Sequence, residues 1–244
     1  MNKIIIMGAS SGIGLKVAEE FASRNMKVGV AARHTGTLSA LKEKYPDFVE
    51  YEEIDINTNE APGKLKRLID KLGGMDIYFH VSGIGYDNPE LEPNIEAAYI
   101  DTNAGGFARM VSSAYGYYRV SGKPGRIVAV TSVAGTKGIG VMAAYSSSKK
   151  CAQTYLKALR QLANIEKVKV RITDIRPGWI RTPLIKEDAK YPLEMNLDEA
   201  VPQIIGAIVK APKTAVIDWK WNVVSSVWKL IPDFIWTHIP FITE

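Results

Sequence analysis

One cysteine, Cys151, stands alone among 244 residues. It excludes an intrachain disulfide scaffold and points to a reducing compartment, the cytoplasm. No uninterrupted apolar run reaches the roughly 20 residues of a membrane-spanning helix, and Lys229, Asp233 and His238 interrupt the apolar C-terminal segment. The N-terminal run Ile4-Ile5-Ile6-Met7 is too short for a signal peptide, and a glycine turn follows at once. No glycine period, internal repeat, low-complexity tract or linker-like stretch is present, so the chain reads as one domain. Neither sign of charge dominates: 31 Lys and Arg against 26 Asp and Glu leave a net charge of +5. The tightest basic group, Lys64, Lys66, Arg67 and Lys71, reads as a solvated helix face, so no nucleic-acid partner is expected. No metal site is expected either. What remains is 46% apolar and 23% charged, too apolar and too weakly charged for a disordered chain.

Short apolar runs alternate with longer stretches of helical period. The runs are Lys3–Met7, Lys27–Ala31, Phe48–Ile54, Asp76–Val81, Arg126–Thr131, Lys169–Ile175 and Ala215–Ile217. Several are apolar on both faces and rich in Val and Ile, as buried parallel strands are. Helices are predicted near 12–24, 58–72, 93–119, 143–164 and 197–210. The alternation predicts a single-domain α/β fold, a doubly wound, Rossmann-like parallel sheet with helices on both faces. Residues 1–219 form that domain. Residues 220–244 form an aromatic extension carrying Trp221, Trp228, Phe234 and Trp236, broken by Pro232 and Pro240. Within it Val223, Val224, Val227, Trp228 and Ile231 follow helical spacing, with Ser225, Ser226 and Lys229 on the opposite face.

Strand Lys3–Met7 runs into Gly8-Ala9-Ser10-Ser11-Gly12-Ile13-Gly14, where a helical pattern begins. Glycines let the backbone approach a pyrophosphate, and the N–H groups of a helix N-terminus bind its charge. The spacing Gly-x-x-x-Gly-x-Gly resembles the glycine motif of the short-chain dehydrogenase/reductase family, with Met7 where the family usually has Thr. At the end of the second strand a carboxylate would accept the adenosine ribose hydroxyls, but the chain reads Ala32-Arg33-His34. The planar fork of Arg33 suits a 2′-phosphate, so NADP(H) is expected over NAD(H). The other reading of Arg33 is a solvated loop residue, and His34 is either a further donor or simply exposed. The resemblance implies that Asp55 contacts the adenine amino group and Ile56 flanks the ring. It also places Ser82-Gly83 where family members carry Ala-Gly, and Gly83 lets the backbone pass close to the cofactor.

Strand Arg126–Thr131 delivers Ser132 at its carboxyl end, the edge where open parallel sheets place their sites. Thirteen residues later Tyr145 and Lys149 stand at i and i+4, on one helix face. Ser132 followed by Tyr-x-x-x-Lys resembles the family's catalytic signature, and Asn103 matches its fourth position. The implied chemistry interconverts a carbonyl and an alcohol. A phenol of pKa about 10 is too weak an acid for neutral pH. The ammonium of Lys149 and the positive ring of an oxidised nicotinamide are expected to lower it. Tyr145 then exchanges a proton with the substrate oxygen, Ser132 hydrogen-bonds that oxygen, Lys149 also holds the nicotinamide ribose, and Asn103 positions a water that links Lys149 to solvent. Pro177-Gly178 matches the family's Pro-Gly, with Ile180 and Thr182 expected at the nicotinamide amide. The resemblance covers about residues 3–218.

Substrate walls are expected from Leu184–Asn196 as a lid, from Ile84, Gly85 and Tyr86, and from Val133 through Met142. They contain no obvious anion clamp, so a small, uncharged, partly apolar ketone or alcohol is expected. Two other readings stay open: a family relative acting as an epimerase or dehydratase, and a dinucleotide-sensing regulator without turnover. The chain lacks the glycine-rich C-terminal segment with which many family members assemble tetramers, and a homo-oligomer, a dimer, is expected instead. The aromatic extension is read either as an intramolecular cover or dimer contact, or as a peripheral membrane attachment through 220–244.

Overall fold

The computed structural model describes residues 1–85, 88–183 and 191–240. Seven strands form one all-parallel sheet: β1 (Lys3–Met7), β2 (Lys27–Ala32), β3 (Val49–Glu53), β4 (Ile77–His80), β5 (Gly125–Val130), β6 (Val170–Pro177) and β7 (Thr214–Ile217). Their order is β3-β2-β1-β4-β5-β6-β7. All seven predicted strands are present, with ends shifted by a residue or two.

Strand side chains alternate between the two faces, and β1 shows why its run of isoleucines forms a central strand. Ile4 and Ile6 enter a layer with Val28, Val30, Val17, Phe21, Ile204 and Ile208. Ile5 and Met7 enter the opposite layer with Leu65, Leu68, Tyr78, Met110, Ile127 and Leu156. The three isoleucines are fully buried, each worth about 1.5–3 kcal/mol of transfer free energy. The helices supplying the first layer are α1 (Gly12–Ser23), α2 (Gly36–Lys44) and α7 (Leu197–Lys210). Those supplying the second are α3 (Ala61–Leu72), α5 (Phe107–Ser121) and α6 (Ala143–Glu166).

Two helical details differ from expectation. Helix α2 lies where none was predicted: its nine residues bury only Leu38 and Leu41, too few to show a helical period. The single helix predicted over 93–119 is α4 (Pro93–Ile100), a π-helical stretch Asp101–Gly106, and α5. That wide turn carries Asn103, and such turns are frequent at functional sites.

Beyond β7 the chain continues as α8 (Trp219–Leu230) and the single turn α9 (Asp233–Trp236). The expected inward face of this extension needs correction. Trp221, Val224, Ser225 and Trp228 face the protein, whereas Val223 and Val227 point to solvent. Three indoles set this rotation. Trp221, Trp228 and Trp236 meet edge to face, with centroids 6.1 and 5.3 Å apart. Trp236 Nε1 donates to the Gly138 carbonyl at 2.6 Å, and Lys137 pairs with Asp233. The small Ser225 lets the helix lie close, so the polar residue is buried and two valines are not. Among the described residues no helix is long and apolar enough to cross a membrane.

Candidate active site

The strand order reverses between β1 and β4, and a crevice opens there at the carboxyl ends of the strands. It is a cleft of about 400 Å³. Gly8, Ser10, Ser11, Gly12, Ile13 and Gly14 line one end; Arg33, His34, Asp55 and Ile56 the next wall; Ser82 and Gly83 the floor. Tyr145, Lys149, Pro177, Gly178, Ile180 and Thr182 line the far end. The predicted cofactor residues other than Asn103 therefore line one cavity, although they come from segments far apart in the chain.

The glycine turn is shaped for a close approach. Gly8 has φ +98°, and a Cβ there would lie 2.6 Å from the backbone nitrogen of Ser82. A Cβ on Gly14 would lie 2.1 Å from the Gly8 carbonyl oxygen. Helix α1 begins here with no side-chain cap on its N-terminal N–H groups and no acid in its first turn. Those donors and the helix dipole suit an anionic group. The residues present thus fit a dinucleotide pyrophosphate. At the next wall Arg33 and His34 are exposed on the rim. Asp55 is the single acid among the described lining residues, and its carboxylate accepts from the Asn57 backbone N–H at 2.9 Å.

The reacting end is built by β5 and α6. Ser132 follows β5, is 6% exposed, and is fixed by Gln153 Nε2, which donates to its carbonyl at 2.8 Å. Tyr145 lies in the first turn of α6 and lines the same small cavity as Ser132. The Lys149 ammonium sits one turn on, 5.5 Å from the centroid of the Tyr145 ring. Withdrawal from water holds the Tyr145 phenol above its ordinary 10.0, and the neighbouring Ser132 hydroxyl pulls the other way. In the protein by itself the net direction is upward, because desolvation outweighs the Ser132 contribution. Burial also pushes Lys149 down from 10.5 to about 8, opposed by the charge of Asp174.

Asn103 lies behind the wall rather than on it. It is 3% exposed, its Oδ1 accepts from the Ile84 N–H at 2.9 Å, and its Nδ2 donates to the Ile84 carbonyl at 2.8 Å. A Cβ on Gly83 would lie 2.9 Å from Asn103 Oδ1 and 3.4 Å from Lys149 Nζ, so the two side chains approach each other across Gly83.

A small cavity of about 60 Å³ opens beside Ser132 and Tyr145. Val133, Ala134, Ile139, Met142, Trp179, Trp221 and Trp228 line it, and no charged side chain does so among the described residues. Trp179 stacks on Tyr191 at 4.0 Å. Of the expected substrate walls, Ile84 and Gly85 line the large cleft, and Met195 pairs with Ile180 in an isolated bridge. Tyr86 and residues 184–190 lie outside the described residues.

Several supporting residues escaped the sequence reading. Tyr99, fully buried, meets the Tyr145 ring edge to face at 5.9 Å. Glu96 accepts from the Ala144 N–H at 3.0 Å and so holds the start of α6. Neither bears a sequence relation to Tyr145. Gln153 does, as the i+4 continuation of the Tyr145 and Lys149 face. His80 is fully buried with Nδ1 3.0 Å from the Tyr78 hydroxyl, and burial and the nearby Lys149 charge push it to about 3. It is neutral at physiological pH.

Known proteins agree with this geometry. Residues 2–192 match the sequence model of the short chain dehydrogenase family. An uncharacterized oxidoreductase of Mycobacterium tuberculosis is 32% identical over 253 residues, covering 99% of this chain and 96% of its own. A short chain dehydrogenase from Burkholderia cenocepacia, solved with NADP, superposes with a TM-score of 0.81 at 21% identity, covering 97% and 95% of the two chains. A short chain dehydrogenase/reductase from Burkholderia phymatum, solved with NAD, gives 0.80 at 18% identity, with 92% of each chain covered. With the glycine turn, the crevice and the sequence match all in agreement, the chain belongs to the short-chain dehydrogenase/reductase family of oxidoreductases.

Proposed function

We propose that this protein is an NADP(H)-dependent oxidoreductase that interconverts a carbonyl and a secondary alcohol on an uncharged, partly apolar substrate. The observation that carries the reading is that Ser132 and Tyr145 line one cavity with the Lys149 ammonium beside the Tyr145 ring. When bound, the cofactor supplies or accepts hydride. The α1 N-terminus and the glycine turn would hold its pyrophosphate, Arg33 its 2′-phosphate, and Lys149 its nicotinamide ribose. Ile180 and Thr182 would orient the nicotinamide amide.

In the reducing direction Ser132 donates a hydrogen bond to the carbonyl oxygen, and Tyr145 Oη gives that oxygen its proton as charge develops there. The phenolate left behind faces the Lys149 ammonium, which favours the charged form. Positive charge brought in beside the phenol by an oxidised nicotinamide works in the same direction, against the upward push of burial. In the oxidising direction the phenolate takes the alcohol proton. Asn103 fixes Ile84 and the Lys149 surroundings, and so supports the water that returns protons from solvent. The apolar cavity next to Ser132 suits an uncharged substrate, since no charged side chain among the described residues lines it. Two known structures with this fold were solved with NADP and with NAD respectively; Arg33 at the end of β2 favours NADP(H) for this chain.

Within this reading the chain works in the cytoplasm as a homodimer, with residues 220–244 also able to touch a membrane. Ile100, Val120, Leu162 and Ile165 expose apolar area on and near α4, α5 and α6 that pairing would cover. The test is purified protein with NADPH or NADP and a panel of ketones and secondary alcohols. Turnover is expected with uncharged members. Tyr145→Phe should keep NADPH binding and lower kcat by about 10³-fold or more. Full turnover by that variant would refute the assignment.

A further inference from the structure

Helix α8 is apolar on two opposite faces, and among the described residues only one of them packs on the protein. Trp221 and Trp228 face inward onto the small cavity. On the other side Trp219, Val223, Val227 and Leu230 are 72, 55, 52 and 81% exposed. Their spacing of i, i+4, i+8 and i+11 makes one stripe along the helix, and Phe234 of α9, 72% exposed, continues the exposed apolar surface. At about 100° per residue, Lys220 and Lys229 fall on the two borders between this stripe and the buried face. Both are exposed. No acid lies within α8. The neighbouring acids are engaged: Asp218 caps the helix through the Lys220 N–H at 3.1 Å, and Asp233 pairs with Lys137.

We infer that this outward face of α8 docks on an anionic lipid surface, with Trp219, Val223, Val227 and Leu230 entering the headgroup boundary and Lys220 and Lys229 reaching to lipid phosphates. Amphipathic surface helices bind in this way, aliphatic and Trp side chains inward and lysines snorkelling at the border. The stripe is a poor interface between two copies of the chain. Two lysines bordering the stripe suit lipid phosphates better than an identical, equally cationic patch. The docking uses no step of the redox chemistry.

Flotation of the full chain with vesicles tests it. The protein should float with phosphatidylcholine vesicles containing phosphatidylglycerol, about 30-fold more tightly than with phosphatidylcholine alone, and less so as salt rises. The double variant Val227→Glu, Leu230→Glu should stay at the bottom of the gradient while keeping its thermal midpoint and NADPH affinity. Lys220→Gln with Lys229→Gln should remove most of the preference for anionic vesicles and leave the apolar contact intact. Failure of the wild type to float on anionic vesicles would overturn the inference, as would flotation of the glutamate variant. So would a wild-type dimer that the glutamate pair converts to monomer, since a second copy would then cover the stripe. None of these readouts involves turnover, so they stand or fall apart from the oxidoreductase assignment.

Discussion

Replacing Lys149 with methionine should make the protein more stable and inactive. Lys149 is 9% exposed, and burial displaces its pKa from 10.5 to about 8. At about 1.4 kcal/mol per tenfold, keeping it charged in the fold costs about 3 kcal/mol relative to the unfolded chain. Methionine keeps a similar length without the charge. Asp174, whose charge favours the ammonium, is not stranded, because Arg176 at 2.6 Å and the Thr131 hydroxyl at 2.6 Å already hold it. The thermal midpoint of Lys149→Met at pH 7 should therefore rise by about 6–12 °C for a chain of this size. The sign with pH is fixed by linkage. Between pH 8 and 10.5 the unfolded wild type binds the proton that the folded form has lost, so wild-type stability rises with pH across that window. The advantage of the variant should be full below pH 8 and gone above about pH 10.5. Thermal unfolding at a series of pH values measures it. A variant no more stable than wild type at pH 7, or an advantage unchanged up to pH 10.5, would refute the argument. Turnover should fall with the substitution, because the ammonium beside the Tyr145 ring is then gone.

Arg33→Ala should weaken NADPH by about 10- to 100-fold and NADH hardly at all, read by fluorescence titration; equal losses would argue against contact with the 2′-phosphate. Gly14→Ala forces a methyl group to within 2.1 Å of the Gly8 carbonyl oxygen. Denaturant titration should show a loss of about 1–3 kcal/mol, and dinucleotide binding should disappear with the displaced turn. An alanine variant that binds normally would mean that the turn has more freedom than its packing implies.

The order of elements was legible because two periods differ. The run Ile4, Ile5, Ile6 and Met7, apolar on both faces, and the shared helix face of Tyr145 and Lys149 are local properties of a strand and a helix. Glycine spacing around Gly8 and Gly14 was equally local, since it reflects what the backbone must do within one turn. Helix α2 was missed because two buried leucines carry almost no periodic signal. The face of α8 was misjudged because composition cannot say which side of a helix a neighbour claims: three interlocking indoles turned Ser225 in and Val227 out. Sequence alone therefore determined the sheet, the phosphate turn and which side chains share a helix face. Only the tertiary structure decided that Asn103 stands behind the cleft wall, that Tyr99 and Glu96 brace Tyr145, and that desolvation moves the Tyr145 and Lys149 pKa values in opposite directions. Those outcomes depend on contacts between residues far apart in the chain and on the exclusion of water, and neither is written in any local stretch of it.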